Sequence, residues 1–264
     1  GQEIAGRIVR VPAGSAWRTG QRVASKVLWG GFAEYACARD EMLIALPDGM
    51  SYAAGATLPV VWPTAWIALF ERARLRAGET VLVHASAGGV GLAAVQLARE
   101  AGAVVIAGVG TEAKASVAHE AGAAHTVDTR SPAWIDEVAR LTQGKGADVI
   151  FDPVGADLAE PSLKSLARDG RYLIVGFAGG KIPALPAGRL LLKNASALGV
   201  YWSHDRDREL VARALDSVLT SWKAEKLRIE ASTLYPFDKL REALADLAAR
   251  RTTGKCVLVP KKES

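Results

Sequence analysis

Residues 80–102 read TVLVHASAGGVGLAAVQLAREAG. The apolar run at 80–83 predicts a buried parallel strand, a glycine-rich turn follows, and residues 92–101 predict a helix closed by Gly102. A glycine turn lets the backbone approach a pyrophosphate, and the N-terminus of the next helix supplies free N–H groups and partial positive charge. The order strand, turn, helix therefore predicts the start of a dinucleotide-binding βαβ unit, with a tight turn that binds no ligand as the alternative.

The turn departs from the commonest glycine pattern at its first position. Gly88 and Gly91 occupy the second and third glycine positions, but Ser86 stands where the first glycine would be. The glycine that permits close approach of the backbone is still present, so the prediction of a bound cofactor stands.

The end of the second strand, predicted over 103–109, bears on the choice of dinucleotide. NAD-specific sites place an acidic residue about 20 residues beyond the glycines, and this chain has Val109 or Gly110 there. A small residue leaves room for a 2′-phosphate, which Lys114 could neutralise. Glu112 argues the other way, since an inward carboxylate would repel the phosphate, and Lys114 could instead be a solvated residue of the next helix. We favour NADPH over NADH.

Many short motifs follow one another along nearly all of the chain. They are GQEIAG at 1–6, GQRV at 20–23, GGFAEY at 30–35, ATLP at 56–59, TA at 64–65, DPVG at 152–155, VGF at 175–177 and LKN at 192–194. With these motifs and the glycine turn, the chain resembles the zinc-independent quinone oxidoreductases of the medium-chain dehydrogenase/reductase family. That group also holds zeta-crystallin-like proteins and enoyl reductases.

The resemblance implies an α/β fold: a doubly wound parallel sheet (Rossmann) with a second, partial GroES-like β-barrel domain. Alternating strands and helices after the glycine turn point to the same sheet. We expect a partial GroES-like catalytic domain at 1–57, the NADPH-binding domain at 58–202, and a C-terminal segment at 203–264 that returns to the catalytic domain. Gly1 aligns inside the family's first domain, so the family's N-terminal strands are expected to be lacking. Strands are predicted at 3–11, 21–27, 32–38 and 227–234.

The resemblance also implies the cofactor contacts. Thr64 would lie near the nicotinamide. The pyrophosphate would meet Ala87, Gly88, Gly89 and Val90.

Further contacts follow from the ends of the later strands. Gly110 and Lys114 would meet the adenosine phosphate. In several relatives a tyrosine helps there, and this chain offers Thr129 followed by Arg130, which could compensate. The remaining positions are Val154 after the fourth strand, Gly176 and Phe177 after the fifth, and the candidate cleft residues Trp62 and Tyr201. Core packing is the favoured interpretation of Trp62.

A zinc site is not expected from the residue types. Zinc-dependent relatives carry histidine in a Gly-His-Glu segment, where this chain has Gln2, and a cysteine-rich lobe, where it has only Cys37 and Cys256. The four histidines show no ligand-like spacing. A packing or hydrogen-bonding role is favoured for His84, which stands beside the glycine turn.

Without a metal, the expected chemistry is hydride transfer from NADPH to a quinone or an α,β-unsaturated carbonyl, because the developing negative charge spreads onto an oxygen. No catalytic residue or proton donor is identified. Two alternatives stay open: an NADPH-binding protein without turnover, acting as a structural or scaffolding partner, and an enoyl-reductase module of a larger synthase.

Composition narrows the setting. The chain has 264 residues, a net charge of +5, and 50% hydrophobic and 23% charged residues, as in globular proteins. No apolar run is long enough to span a bilayer, so no membrane partner is expected. Lys and Arg are dispersed, which argues against nucleic acid. Two distant cysteines predict a reducing, cytoplasmic location, and the resemblance implies a homodimer.

Overall fold

The N-terminal part of the chain forms a three-stranded antiparallel sheet in this computed structural model, which describes residues 1–260. Its strands are β1 (Glu3–Arg7), β2 (Arg22–Lys26) and β3 (Leu43–Ala45), with β2 in the middle. The strands predicted at 3–11 and 21–27 are therefore confirmed, although both are shorter than expected.

The strand predicted over 32–38 is wrong. These residues form bends and irregular backbone, and the third strand is β3, which follows a short 3-10 turn (Asp40–Met42). Both edges of β2 are already paired, one with β1 and the other with β3. The alternating apolar residues at 32–38 therefore have no free edge of β2 with which to pair, and Phe32 and Tyr35 are 46% and 72% exposed.

Two short helices lead to the central sheet. The first is α1 (Tyr52–Gly55), whose N-cap Ser51 accepts a hydrogen bond from the Ala54 N–H at 3.1 Å. The second is α2 (Val61–Trp66), which continues as a π-helical segment (Ile67–Arg72). The predicted helix at 64–74 thus begins three residues earlier than expected.

Strands and helices then alternate as predicted. They are β4 (Thr80–Val83), α3 (Gly89–Glu100), β5 (Val104–Val109), α4 (Glu112–Glu120), β6 (His125–Asp128), α5 (Trp134–Leu141), β7 (Ala147–Asp152), α6 (Ala159–Ser165), β8 (Leu166–Ile174), α7 (Ala187–Lys193) and β9 (Ser196–Gly199). The six strands are all parallel, in the order β6-β5-β4-β7-β8-β9. The doubly wound sheet is confirmed. Its order reverses between β4 and β7, where such sheets bind ligands at the carboxyl ends of the strands.

The C-terminal part adds α8 (His204–Lys223), β10 (Thr233–Pro236), α9 (Leu240–Ala248) and β11 (Cys256–Val259), with β10 and β11 paired in parallel. The strand predicted over 227–234 is wrong for its first six residues. Leu227 and Ile229 are buried there, but the backbone of Arg228 pairs with the Gln96 side chain of α3: its N–H donates to Gln96 Oε1 at 2.8 Å and its carbonyl accepts from Gln96 Nε2 at 3.2 Å. The alternation of apolar residues reflects packing on a helix rather than pairing with a strand.

Each face of the central sheet is covered by helices. Val81 and Val83 of β4 belong to a core cluster with α2, α3 and α8, whereas Leu82 between them packs with α5 and α6. Successive side chains of a strand point to opposite faces, so a strand covered on both faces is apolar throughout. This double coverage accounts for the apolar run that predicted β4.

The division of the chain at 57/58 and 202/203 stays a prediction, and positions 261–264 of its third segment lie outside the described residues. Within residues 1–260, none of the helices combines the length and the apolar character needed to cross a bilayer.

Candidate functional site

The turn between β4 and α3 is held by its own backbone and by a buried serine. Ala85 has a positive φ of 47°, and the Gly88 N–H donates to the Ala85 carbonyl at 2.8 Å. The Ser86 hydroxyl lies 2.9 Å from the carbonyl oxygens of Val83 and Gly108, to which it donates. Serine therefore ties the ends of β4 and β5 together at the position where the commoner pattern has glycine.

Close contacts surround two glycines of this turn, with backbone at Gly91 and with a lysine side chain at Gly89. A Cβ at Gly91 would lie 2.3 Å from the carbonyl oxygen of Ala85, and one at Gly89 would lie 2.7 Å from the Cδ of Lys255. Gly88 is the N-cap of α3 and has no side chain to accept from the first turn. No side-chain cap therefore competes with an anion for the first N–H groups of α3, although the Gly88 bridge with Gly254 lies beside the N–H of Gly89.

The end of β5 brings the predicted adenosine-phosphate residues close together. A Cβ at Gly110 would lie 3.5 Å from the Cδ of Arg130, so the arginine side chain lies over this glycine. Thr129 follows β6, and its hydroxyl donates to the Val109 carbonyl at 3.2 Å. Lys114 lies in the first turn of α4, whose N-cap is Thr111. Gly110, Lys114, Thr129 and Arg130 thus lie around one strand end.

Both cations at this strand end already have partners. The Lys114 ammonium donates to the Arg250 carbonyl at 2.7 Å. The Arg130 guanidinium donates to both carboxylate oxygens of Asp128, at 3.0 and 2.8 Å. Hydrogen bonds from Arg130 lower the pKa of Asp128 to about 2. Asp128 was missed in the sequence, although its position at the end of β6, two residues before Arg130, was a usable signal.

The loops that follow β7 and β8 lie side by side. The N–H groups of Ala178 and Gly179 donate to the carbonyls of Pro153 and Val154 at 3.0 and 2.9 Å. Gly176 and Phe177 therefore lie next to Val154, as their predicted common role requires. Phe177 is 40% exposed.

A buried aspartate orders the first of these two loops. Asp152 Oδ1 accepts from the N–H groups of Val154 and Gly155 at 2.7 and 2.9 Å, and Oδ2 accepts from the Tyr172 hydroxyl. Burial and the neighbouring carboxylate raise the pKa of Tyr172, which keeps its hydroxyl protonated. The Asp152 carboxylate thus holds the backbone of the Val154 loop in place.

Thr64 belongs to a polar contact between α2 and the segment after β9. Its Oγ1 accepts from the Trp202 indole N–H at 3.0 Å, and the Lys26 ammonium lies 4.6 Å from the centre of the Trp202 ring. Tyr201 next to it is 81% exposed. Trp202 and Lys26 were not named from the sequence, because residues 176 positions apart offered no signal of contact.

Trp62 does not open onto this contact. It is only 4% exposed and packs in the larger core cluster, in agreement with the packing interpretation.

His84 is also buried: its Nε2 lies 2.7 Å from the Ser162 hydroxyl, and its ring packs edge-on against Trp134. Burial lowers the pKa of His84, so the ring is neutral and serves packing and hydrogen bonding.

One ion pair joins the N-terminal sheet to the C-terminal segment at the glycine turn. The Lys255 ammonium donates to Glu3 Oε2, and the other carboxylate oxygen accepts from the Val60 N–H at 3.1 Å. The neighbouring Gly254 N–H donates to the Ala87 carbonyl at 2.7 Å. Lys255 therefore places its aliphatic stem beside Gly89 while Glu3 holds its ammonium, a contact that was not predicted from the sequence.

The described residues do not fit a zinc ion. Within residues 1–260, no group of three or more His, Cys, Asp or Glu side chains is placed to hold a metal. At the position of the histidine ligand in zinc-dependent relatives, the Gln2 amide donates to the Leu28 carbonyl at 3.1 Å. A catalytic zinc ion needs about three His, Cys or carboxylate ligands.

Comparisons with known proteins find relatives that cover nearly the whole chain. A family model described as zinc-binding dehydrogenase matches residues 89–218. A quinone oxidoreductase-like protein 2 homolog from Nematostella vectensis is 37% identical over 269 residues, which cover 99% of this chain and 73% of that protein.

Two solved structures extend the likeness to the fold. The mycobacterial protein Rv1454c complexed with NADPH has a TM-score of 0.92 at 32% identity, over 98% of this chain and 82% of that one. The CurK enoyl reductase has a TM-score of 0.86 at 28% identity, over 98% and 78% of the two chains.

Proposed function

Because the chain belongs to the quinone oxidoreductase family of medium-chain dehydrogenases/reductases, we propose that it is an NADPH-dependent oxidoreductase that reduces quinones or α,β-unsaturated carbonyls. The observation that carries this proposal is the turn at residues 85–91, where the backbone of Ala85 and Ser86 leaves no room for a side chain at Gly91. The turn lies at the carboxyl end of β4, next to the point where the strand order reverses. Both features are what a bound dinucleotide requires.

We expect NADPH to lie along the carboxyl edge of the parallel sheet. The first N–H groups of α3 and the Lys255 ammonium would face the pyrophosphate, and Lys114 and Arg130 would face the 2′-phosphate. Thr64 would lie at the nicotinamide, held by the Trp202 N–H, and the loops at Val154 and Phe177 would line the space between. The NADPH complex of the mycobacterial relative supports this cofactor.

The chemistry follows from what the chain supplies. When bound, NADPH supplies the hydride. The protein would fix the distance and direction of transfer by holding both partners. Quinones and enones accept hydride without a Lewis acid because the negative charge moves onto a carbonyl oxygen. The likeness to an enoyl reductase supports the enone class.

Purified protein tests the proposal in two steps. Titration with NADPH, followed by nucleotide fluorescence, should show saturable binding. Addition of a panel of quinones and enones should then consume the absorbance of the reduced nicotinamide. Failure to bind NADPH would contradict the cofactor, whereas binding without oxidation above background would identify a nucleotide-binding protein without turnover.

A further inference from the structure

Lys26 places a positive charge in the candidate site without an obvious structural task. It is the last residue of β2 and pairs with Glu3 of β1 across the sheet. Glu3 has Lys255 as its ion-pair partner, and the charge of Lys26 makes only a smaller contribution to lowering the pKa of Glu3. The Lys26 ammonium lies instead over the Trp202 ring, 4.6 Å from its centre.

This position is close to the expected nicotinamide site. The same Trp202 indole donates its N–H to Thr64 Oγ1 at 3.0 Å. Trp202 also follows β9, at the carboxyl edge of the parallel sheet. A single indole thus contacts the residue expected at the nicotinamide through its N–H, and the ammonium through its ring.

The contact with the ring leaves the ammonium able to bind a ligand. An aromatic face attracts a cation but does not provide the strong acceptor atoms that its three N–H groups can use. The other titratable groups near Lys26 are a histidine whose neutral form is favoured and an arginine that has carboxylate partners. Burial, followed by the charges of Lys26 and Arg39, lowers the pKa of His204, and Arg39 pairs with Glu41 and Asp205.

We propose that the Lys26 ammonium donates a hydrogen bond to the carbonyl oxygen of the acceptor and stabilises the negative charge that forms there. This inference rests on the proposed function and names a residue that acts on the acceptor rather than on the nucleotide. It assigns the site to acceptors with a carbonyl oxygen conjugated to the reacting carbon.

The electrons balance for an enone. The hydride, with its electron pair, forms a C–H bond at the β-carbon, and NADPH is oxidised to NADP⁺. The π pair of the C=C bond shifts to join the α-carbon and the carbonyl carbon, and the π pair of the C=O bond moves to the oxygen. The resulting enolate oxygen faces Lys26, and a proton from water at the α-carbon completes the saturated carbonyl. In a quinone, hydride addition followed by tautomerisation gives the hydroquinone monoanion, and one proton from water completes the hydroquinone.

A stable oxyanion tests the contact without turnover. 4-Nitrophenolate imitates the enolate oxygen, and nitrobenzene is a neutral ligand of similar shape. Both are titrated by calorimetry into the protein saturated with NADP⁺. Lys26→Met should lower the affinity for 4-nitrophenolate by about tenfold or more, as expected for a lost hydrogen bond to a charged group. The affinity for nitrobenzene should stay nearly unchanged. Lys26→Arg should retain most of the phenolate affinity, and Lys145→Met, at an exposed lysine, should retain all of it.

Equal losses for the two ligands in Lys26→Met, or no loss for either, would overturn the proposal. If Lys26→Met does not fold, the wild-type protein still decides, because it should bind the phenolate about tenfold or more tightly than nitrobenzene. Comparable affinities would contradict a cationic oxygen site. A wild-type protein that binds no NADPH would contradict the proposed function, whereas one that reduces enones equally well after Lys26→Met would contradict the Lys26 inference alone.

Discussion

Lys255 and Glu3 form an ion pair that joins the segment before β11 to the first strand of the chain. The side chains are largely buried, with 27% and 13% of their surfaces exposed. Burial raises the pKa of Glu3, while Lys255 and the hydrogen bond from Val60 act to lower it. The pair therefore fixes the N-terminal sheet beside Gly89, where the pyrophosphate is proposed to bind.

Lys255→Met should destabilise the protein in a pH-dependent way. Without its cation, a buried ionised Glu3 has a folded-state pKa further above its unfolded value. The difference from wild type should therefore be small below about pH 4, where Glu3 is protonated in both states, and grow as the pH rises through the folded-state pKa. Near neutral pH we expect a loss on the order of 3 kcal/mol in the free energy of unfolding.

Urea unfolding at a series of pH values measures this loss. Lys239→Met removes an exposed ion pair with Glu242 and should change the unfolding free energy by less than about 1 kcal/mol. A loss for Lys255→Met that is the same at acid and neutral pH would contradict the role of Glu3.

Gly91→Ala should disrupt the turn and nucleotide binding together. The added methyl would lie 2.3 Å from the Ala85 carbonyl oxygen, so the backbone must shift. We expect a loss of about 1–3 kcal/mol in stability and of about tenfold or more in NADPH affinity. Gly188→Ala, in α7 with no atom within 4 Å of the new Cβ, is the matched control and should leave NADPH affinity unchanged. Unchanged affinity in Gly91→Ala would show that nucleotide binding does not depend on the conformation of this turn.

Lys114→Ala should weaken the binding of NADPH about tenfold more than the binding of NADH. The reason is that only NADPH carries the 2′-phosphate that the ammonium would meet. The two dissociation constants, measured by fluorescence titration, give the ratio directly. Lys114 also bonds the Arg250 carbonyl, so a purely structural role predicts equal losses for both nucleotides. Lys145→Ala should change neither constant.

Asp128→Asn should raise the preference for NADPH over NADH, by up to about fivefold. The Asp128 carboxylate is ionised at neutral pH, since hydrogen bonds from Arg130 lower its pKa to about 2, and it offsets the charge of that arginine. Removing the negative charge frees Arg130 for the phosphate. A ratio that falls, or does not change, would place the phosphate away from Arg130.

The features that the sequence predicted correctly depend on residues that are close together in the chain. The β4 turn was predictable because strand, glycines and helix are contiguous, and the parallel sheet because its strands and helices alternate. Hydrogen bonds join Gln96 to Arg228 and Trp202 to Thr64 across more than a hundred positions of the chain. The periodicity of a sequence does not predict such long-range pairs. Apolar alternation at 32–38 and 227–234 misled for the same reason, because alternation records burial but not whether a neighbouring strand is available.

We propose that the backbone N–H groups at the start of α3 bind the pyrophosphate of NADPH. A crystal structure of the protein grown with NADPH measures this directly. We expect phosphate oxygens within hydrogen-bond distance, about 2.7–3.2 Å, of the N–H groups of Gly89 and Val90, with the nicotinamide toward Thr64. Nucleotide bound elsewhere, with the turn contacting no phosphate, would contradict it.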